Sequence, residues 1–269
     1  MWPVKTSSEL DRVAAAFEER ASRAALLAET SDAAEAPLTF AAGLYRAQAA
    51  LARAIASAHR RRALTGQLDV DAAGFVDAMH GLLRFAAEAA PAELAVVARE
   101  RAQKEPTLLR SRLGDIDYLS RALLRPYLEV LAALHIKPEL TRPSAESRTE
   151  SCPFCGGPPW IAARRGAPDS DGAQRYLGCA LCGGQWTVNR LRCPACSEEN
   201  PDKLPCFRSD RYPAARIEAC ETCRSYVKSL DLTEDGRPIP EVDDLISLAM
   251  DLWAIEQGFT RIEPGLAGV

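Results

Sequence analysis

Histidine is scarce in this chain of 269 residues, and all three copies, His59, His80 and His135, lie in its first half. No grouping of serine, histidine and aspartate suited to hydrolysis is visible in the sequence. The open, histidine-containing metal site typical of hydrolytic metalloenzymes is missing too. We therefore expect a protein that is not an enzyme.

Long apolar runs are also missing. None approaches the ~20 residues needed to span a bilayer, and the N-terminus lacks the basic and apolar pattern of a leader peptide. The formal net charge is −4, whereas phosphate recognition usually shows a strong basic stripe. Because the chain also carries nine cysteines in a spacing unlike a disulfide framework, these absences predict a cytoplasmic protein without membrane insertion.

Cysteine is what the chain has in an unusual arrangement. Eight of the nine form Cys-x-x-Cys pairs, and adding 41 to the positions of the first two pairs gives those of the last two. The flanks repeat as well, since Arg175-Tyr-Leu-Gly-Cys corresponds to Arg216-Ile-Glu-Ala-Cys. The pairs are Cys152/Cys155, Cys179/Cys182, Cys193/Cys196 and Cys220/Cys223. A regular repeat of this kind indicates one supersecondary unit used twice.

This spacing is typical of metal sites. Two cysteines three apart on a tight turn place both sulfurs on one side of the backbone, and two such turns complete a tetrahedron. We predict one four-cysteine module over 151–190 and a second over 191–230. A thioredoxin-like motif would need a βαβ context, which is not found. All-thiolate tetrahedra suit iron as well as zinc, so the expectation is two metal ions per chain, of iron or zinc.

Glycine after the second cysteine of a pair supplies the left-handed conformation that such turns need. The first module has Gly156 and Gly183 there, whereas the second has Ser197 and Arg224. The geometry of the second site is therefore less assured. Cys206 lies outside the pairs and is either a small buried apolar residue or a reactive thiol.

Alanine and leucine dominate the N-terminal half, which favours helix. Apolar residues at helical spacing follow Ser8, and a second helix is predicted to begin at Pro37. Asp71 is predicted to cap a third helix. We assign 1–136 to a helical bundle and 137–150, rich in proline and charge, to a linker.

Two more helices are predicted to complete the bundle. One follows Pro91, and a longer one begins at about Asp115 with Pro126 expected to kink or split it.

Short β-type segments surround the cysteines, and their aromatic residues are expected to cover the metal sites: Trp160, Tyr176, Trp186 and Tyr226. Residues 231–269 are predicted to form a C-terminal helix and tail. Pro240-Glu241-Val242-Asp243-Asp244 would place acids in the first turn of the helix, which the helix dipole favours. Its predicted apolar face consists of Leu245, Leu248, Ala249, Leu252 and Trp253.

The predicted fold class is thus α+β. An N-terminal α-helical bundle is followed by two tandem rubredoxin-like or zinc-ribbon-like four-cysteine modules and a C-terminal helix.

Four pairs in duplicate, followed by Asp243-Asp244-Leu-Ile-Ser-Leu-Ala-Met-Asp-Leu-Trp-Ala-Ile-Glu-Gln-Gly-Phe, make the chain resemble the FdhE family of formate dehydrogenase accessory proteins. The resemblance is closest over residues 150–260. It implies a cytoplasmic, non-catalytic maturation factor that binds the catalytic subunit of a respiratory, molybdenum-type formate dehydrogenase before export. It also implies rubredoxin-like sites that can hold iron, with the eight paired cysteines as ligands.

Two other functions stay open at this stage. A zinc-ribbon protein that binds nucleic acid is one, although residues 151–230 hold only 11 Lys and Arg against 8 Asp and Glu. A rubredoxin-like electron carrier is the other. For an accessory protein, the stretches 156–178 and 197–219 are expected to be interface loops, with Arg208, Arg211 and Tyr212 as candidate contacts. Oligomeric state is not indicated by the sequence.

Overall fold

The computed structural model describes residues 7–103, 117–140, 150–167 and 170–268. Two compact units divide the chain. One contains Met1–Leu26 and Thr39–Ser144, and the other contains Leu27–Leu38 and Ala145–Val269. The predicted α+β class, with helices first and two four-cysteine clusters after them, is confirmed. The predicted boundary at 137–150 stays a prediction, and its residues 141–149 lie outside the described part of the chain.

The first unit is built from helices whose apolar faces share a core. Leu51, Leu83 and Leu131 are among its fully buried side chains. Polar contacts tie the helices together, as where the Gln48 side chain donates to the carbonyl of Ala122. The helices are α1 (Ser7–Ala28), α2 (Glu35–Arg61), α3 (Leu68–Asp71), α4 (Val76–Ala89), α5 (Ala92–Gln103) and α6 (Tyr118–Leu134). Within the described residues, no helix combines the length and apolar character needed to cross a bilayer.

Several helix boundaries differ from those predicted. Asp71 does not cap a helix; its buried carboxylate accepts the backbone N–H groups of Thr65 and Gly66 and the hydroxyl of Tyr127. The predicted start of α6 at Asp115 lies outside the described residues, and Asp117 is its N-cap, accepting from the N–H of Ser120. Helix α6 continues through Pro126, so the predicted split is wrong.

The second unit contains a seven-stranded sheet in the order β3-β2-β1-β6-β5-β4, with β7 paired to β6. Residues 156–178, expected as a loop, instead form most of the β1/β2 hairpin. The strands are β1 (Pro159–Ala167), β2 (Ser170–Cys179), β3 (Gln185–Val188), β4 (Cys206–Arg208), β5 (Ala215–Ala219), β6 (Ser225–Asp231) and β7 (Thr260–Arg261).

The sheet reflects the 41-residue repeat. Strands β1, β2 and β3 correspond to β4, β5 and β6, so the order reads as two copies of one three-stranded unit placed head to tail. Parallel pairing of β1 with β6, from Ile161 opposite Lys228 to Arg164 opposite Asp231, joins the two copies. The two modules therefore share one sheet.

The C-terminal helix forms in three pieces. Helix α7 (Pro240–Asp243) leads through a 3-10 turn (Asp244–Ser247) into α8 (Leu248–Glu256). Of the predicted apolar face, Leu245 is buried as expected, but the face is wrong in phase along α8. There Leu252 is 54% exposed while Met250, Asp251 and Ala254 are buried. Hydrophobic spacing alone fails here because the buried face of α8 includes a charged residue, Asp251. Lys228 and Arg261 of the sheet neutralise its charge, which makes its burial possible.

Candidate metal centres

The first cluster brings together Cys152, Cys155, Cys179 and Cys182. The sulfur of Cys152 lies 3.5 Å from that of Cys182, and the sulfur of Cys155 lies 3.4 Å from that of Cys179. These separations exclude disulfides, whose sulfurs lie roughly 2.05 Å apart. All four side chains are buried.

The second cluster brings together Cys193, Cys196, Cys220 and Cys223. Its sulfur separations are 3.7 Å between Cys193 and Cys223 and 3.6 Å between Cys196 and Cys220. Cys196 is exposed and Cys223 is half-buried. The structure therefore groups the eight predicted cysteines in the two sets that the pair order predicted, and it leaves one edge of the second set open to solvent.

Both sets fit a tetrahedral ion. With metal–sulfur bonds of roughly 2.3 Å, the edge of a tetrahedron of sulfurs is about 3.8 Å, close to the separations found here. All possible ligand atoms in each set lie within 4.8 Å of one another. The two clusters could hold two metal ions, and since thiolates suit iron and zinc alike, the donor set does not choose between them.

The four turns that present the cysteines are copies of one backbone pattern. In each, the residue after the second cysteine donates its N–H to the carbonyl of the first, as Gly156 does to Cys152 at 2.8 Å and Arg224 does to Cys220 at 2.9 Å. The first cysteine in turn donates to the carbonyl two residues beyond the second, as Cys193 does to Glu198 at 2.9 Å. Paired bonds of this kind fix both sulfurs on the same side of the turn.

Ser197 and Arg224 adopt the left-handed conformation although neither is glycine. Their φ angles of 63° and 56° are close to that of Gly183, at 64°. Each side chain makes contacts that glycine could not make. The Ser197 hydroxyl accepts a hydrogen bond from the guanidinium of Arg192. The Arg224 guanidinium donates to the carbonyl of Gln257 and lies 3.8 Å from the centre of the Phe259 ring. The departure from glycine leaves the second site's turn geometry intact.

Backbone amides surround the sulfurs. The N–H groups of Gly157, Leu181 and Gly184 each point to the sulfur two residues earlier, at 3.4 Å, and Ala195 does the same toward Cys193. Such bonds favour the charged thiolate over the thiol. They also tune the reduction potential of a bound iron.

Protons are shared unevenly among the thiols. Hydrogen bonds from Cys155, Cys179 and Cys182 hold the pKa of Cys152 well below its usual range. Hydrogen bonding to Cys152 raises the pKa of Cys179 and of Cys182. Because four thiolates side by side repel one another, full ionisation of the set needs a cation, and metal binding releases the remaining protons.

Three of the aromatic residues predicted to cover the metal sites belong to the cores of the sheet, which also contact the cysteine turns through Ala180 and Ala195. Trp160 belongs to an apolar cluster with Ile161 and Leu230, and Trp186 packs against Leu177 and Val227. Tyr226 is buried and donates to Asp251. These side chains form the cores of the sheet, because alternate residues of each strand face its packed side.

A buried ion network, not anticipated from the sequence, fastens α7 and α8 to the sheet. Lys228 on β6 is fully buried and pairs with Asp244 at 3.0 Å and with Asp251. Arg261 binds the same two carboxylates at 2.8 and 3.1 Å. Asp243, the other member of the acidic pair, accepts from the N–H of Ile239 as a residue of the first helical turn does. The sequence signal was Asp251 at a helical position flanked by apolar residues.

Arg175 and Arg216, the arginines of the repeated flanks, also converge. Arg175 bonds Glu218 at 2.8 Å, and Arg216 bonds the other carboxylate oxygen. Burial alone would raise the pKa of Glu218, but the two guanidinium groups hold it below its usual value. The repeated Arg at the start of each flank was a signal that the sequence offered.

Comparisons with known proteins place these features in a family. The model of the FdhE central domain matches residues 151–190, and that of the FdhE C-terminal domain matches residues 191–266. The protein FdhE homolog of Aquifex aeolicus is 37% identical over 117 residues, which cover 44% of this chain and 41% of the relative. That of Pseudomonas aeruginosa is 33% identical over 179 residues, covering 62% and 56%. The chain spans about half the length of the curated relatives it matches.

The fold is shared as well. The chain is similar to the crystal structure of the FdhE protein from Pseudomonas aeruginosa, with a TM-score of 0.64 at 23% identity. The alignment covers 97% of this chain and 96% of the crystallised one. At that identity the likeness shows the fold alone. Each matched family model contains one of the four-cysteine clusters, so residues 151–190 and 191–266 are similar to the central and C-terminal domains of the FdhE family.

Proposed function

We propose that this protein is a non-catalytic accessory factor that binds the catalytic subunit of a formate dehydrogenase in the cytoplasm and assists its maturation. The observation that carries the proposal is the pair of four-cysteine clusters within FdhE domains. The proposal takes Cys152, Cys155, Cys179, Cys182, Cys193, Cys196, Cys220 and Cys223 as the ligands of two metal ions.

The ligand sets support a role without substrate chemistry at the metal. Catalytic zinc sites keep one position for water or substrate, whereas four protein thiolates close the coordination shell. Binding energy at such sites goes into folding the small modules that supply the ligands. The metals then act mainly as a scaffold for a recognition surface.

The exposed face of α8 is the docking surface that we propose for the catalytic subunit. It presents Leu252, Trp253 and Ile255, of which Leu252 is 54% and Ile255 is 47% exposed. The Trp253 ring packs against Phe207 of β4, with ring centroids 4.8 Å apart. Arg224 holds the end of α8 to the second cysteine turn. Tryptophan and arginine are enriched among residues that dominate binding energy, and here both lie beside a metal-ordered turn.

The two predicted interface arginines are accessible to a partner, whereas the third candidate contact, Tyr212, is partly buried. Arg208 and Arg211 are exposed, and Arg208 follows Phe207 on β4. Tyr212 packs against the buried cluster around Ile217. Its replacement would disturb the fold, so changing all three candidate contacts together would be a poor test of binding. The exposed apolar residues of α8 favour a partner surface that is apolar at its centre.

Co-expression with a formate dehydrogenase catalytic subunit tests the proposal. Trp253→Ala with Leu252→Ser should reduce the amount co-purified at least about fivefold, corresponding to about 1–3 kcal/mol at a binding hot spot. Val96→Ser is the matched control, because Val96 of α5 is 48% exposed and lies outside the proposed surface. Metal content should be native in both. If the α8 variant co-purifies as much subunit as the native chain does, the proposed docking surface is wrong. If the native chain itself co-purifies none, the proposed function is wrong.

A rubredoxin-like electron carrier is the second candidate. The exposed edge of the second cluster at Cys196 favours it, because electron transfer needs a redox centre near the surface. Zinc replacing iron would abolish this function but preserve a scaffold. Maturation that continues with zinc-loaded protein therefore supports the accessory role.

A further inference from the structure

A cavity of about 160 Å³ lies beside the second cluster, on the side of Cys193 and Pro194. Strands β2, β4, β5 and β6 contribute to its wall. Four arginines, Arg175, Arg190, Arg192 and Arg216, line it together with a single carboxylate, that of Glu218. The cavity is large enough for a small molecule of several heavy atoms with accompanying water.

The positive charge of this cavity exceeds what its acid can balance. Glu218 is shared by Arg175 and Arg216. Arg192 has acidic neighbours outside the cavity, Glu150 at 3.7 Å and Glu199 at 3.8 Å. Within the described residues, Arg190 makes no ion pair. Arg216 also interacts with Asp231, whose pKa it lowers. Among the lining residues, Arg175, Arg190 and Arg216 share the carboxylate of Glu218.

Arg175 supplies a second observation. Only 3% of the residue is exposed, and its two terminal nitrogens bond the carbonyls of Asn189 and Arg192 and the carboxylate of Glu218. Its buried Nε has no hydrogen-bond partner in the part of the chain that the structure describes. A buried donor left without an acceptor costs free energy, so the protein alone does not satisfy every donor of this guanidinium.

We propose that this cavity binds a small oxyanion, either a phosphate or a carboxylate group. Guanidinium groups match both, since their fork of N–H donors bonds two oxygens at once. The role is binding. Cys206, the cysteine outside the clusters, lines the same cavity and is exposed, which makes it a reporter of occupancy. The inference stands apart from the proposed function, because the site could be filled with or without a protein partner.

Calorimetric titration of the metal-loaded full chain tests the site, with inorganic phosphate in one arm and acetate in the other, at constant ionic strength set by chloride. Alkylation of Cys206 by iodoacetamide, read by peptide mass spectrometry, gives an independent readout. We expect one bound anion per chain and slower alkylation as it binds. The arm that saturates at the lower concentration identifies the oxyanion class.

Arg190→Gln and Arg216→Gln should each raise the half-saturating concentration about tenfold, the loss expected for one charge-assisted hydrogen bond. Arg190 is exposed, so its variant should retain native metal content and unfolding midpoint even if Arg216→Gln does not. Arg208→Gln is the control, because Arg208 lies on the same strand as Cys206 but does not line the cavity. Saturation that Arg190→Gln leaves unchanged, or no response beyond that of chloride in either arm, would overturn the proposal.

Discussion

The cysteine turns of the two metal sites differ at one position each, where the first site has Gly156 and Gly183 and the second has Ser197 and Arg224. A non-glycine residue in the left-handed region costs roughly 1–2 kcal/mol, and the second module accepts that cost twice. The contacts of both side chains show what offsets it. Arg224 in particular reaches from a metal-binding turn to the end of α8 and to Phe259.

Replacing Arg224 by glycine should therefore separate two roles that the residue combines. The turn should keep its conformation, because glycine adopts positive φ freely, so the second site should retain its metal. Helix α8 should loosen, because its end loses a hydrogen bond and a cation–π contact. Hydrogen exchange across 248–256 measures this, with Ser197→Gly as the matched variant at the equivalent turn. Equal exchange in native and Arg224→Gly proteins would contradict the assignment.

Exposure of Cys196 makes a prediction about metal lability. Water and chelators reach the second cluster but not the first, whose four cysteines are buried. Metal release to an excess chelator should show two phases. The fast phase should vanish in Cys223→Ser, and the slow phase should vanish in Cys152→Ser, since three thiolates bind far less well than four. A fast phase that survives in Cys223→Ser would reverse the order proposed for the two sites.

At the scale of elements, the sequence predicts the turns that hold the cysteines, but it does not predict which helix face or which strand packs against which neighbour. The cysteine turns follow from spacing alone, because each turn closes within six residues. The phase of α8 could not be read in the same way. Its buried face includes Asp251, which hydrophobic periodicity assigns to solvent, and only the distant Lys228 and Arg261 make that burial tolerable. Likewise, the run Trp160-Ile-Ala-Ala predicts a β-type segment without indicating that β6 is its neighbour.

The buried network between the sheet and α8 can be tested by asymmetric removal. Lys228→Met should lower the free energy of unfolding by about 3–5 kcal/mol, because it leaves two buried carboxylates facing Arg261 alone. Adding Asp251→Leu should restore much of that loss, since an apolar pair replaces an ion pair. Urea unfolding of the metal-loaded protein measures both.

Arg237→Met is the control for this comparison. It breaks an ion pair with Asp235 in which the arginine side chain is 85% exposed, so its effect should stay below about 1 kcal/mol. A double variant no more stable than Lys228→Met would show that the network has value beyond neutralising charge.

At the scale of the molecule, the two repeated modules are joined in one sheet, which links the folding of one to that of the other. Two tandem modules, with two metal ions per chain, were predicted from the duplicated cysteines. In the structure, β1 of the first module pairs in parallel with β6 of the second, and Arg175 of the first bonds Glu218 of the second. The N–H of Glu150 also donates to the carbonyl of Pro194. Ordering one module therefore helps to order the other.

We expect the two metal sites to be energetically coupled for this reason. In Cys152→Ser the first site should be empty, β1 should lose part of its support, and the zinc affinity of the second site should fall about fivefold to tenfold, within the usual range of coupling energies between sites. Cys220→Ser should weaken the first site in the same direction. Competition with a chromogenic chelator measures each remaining site.

A matched variant distinguishes coupling through the sheet from general damage. Arg175→Gln leaves all eight cysteines in place but removes the charge that links the modules, so it should lower the coupling while both sites still fill. Unchanged affinity of the second site in Cys152→Ser would mean that each module folds around its own metal, and the shared sheet would then be a consequence of both being folded. Because β6 is bonded to β1, β5 and β7 together, we expect the sheet to transmit the loss.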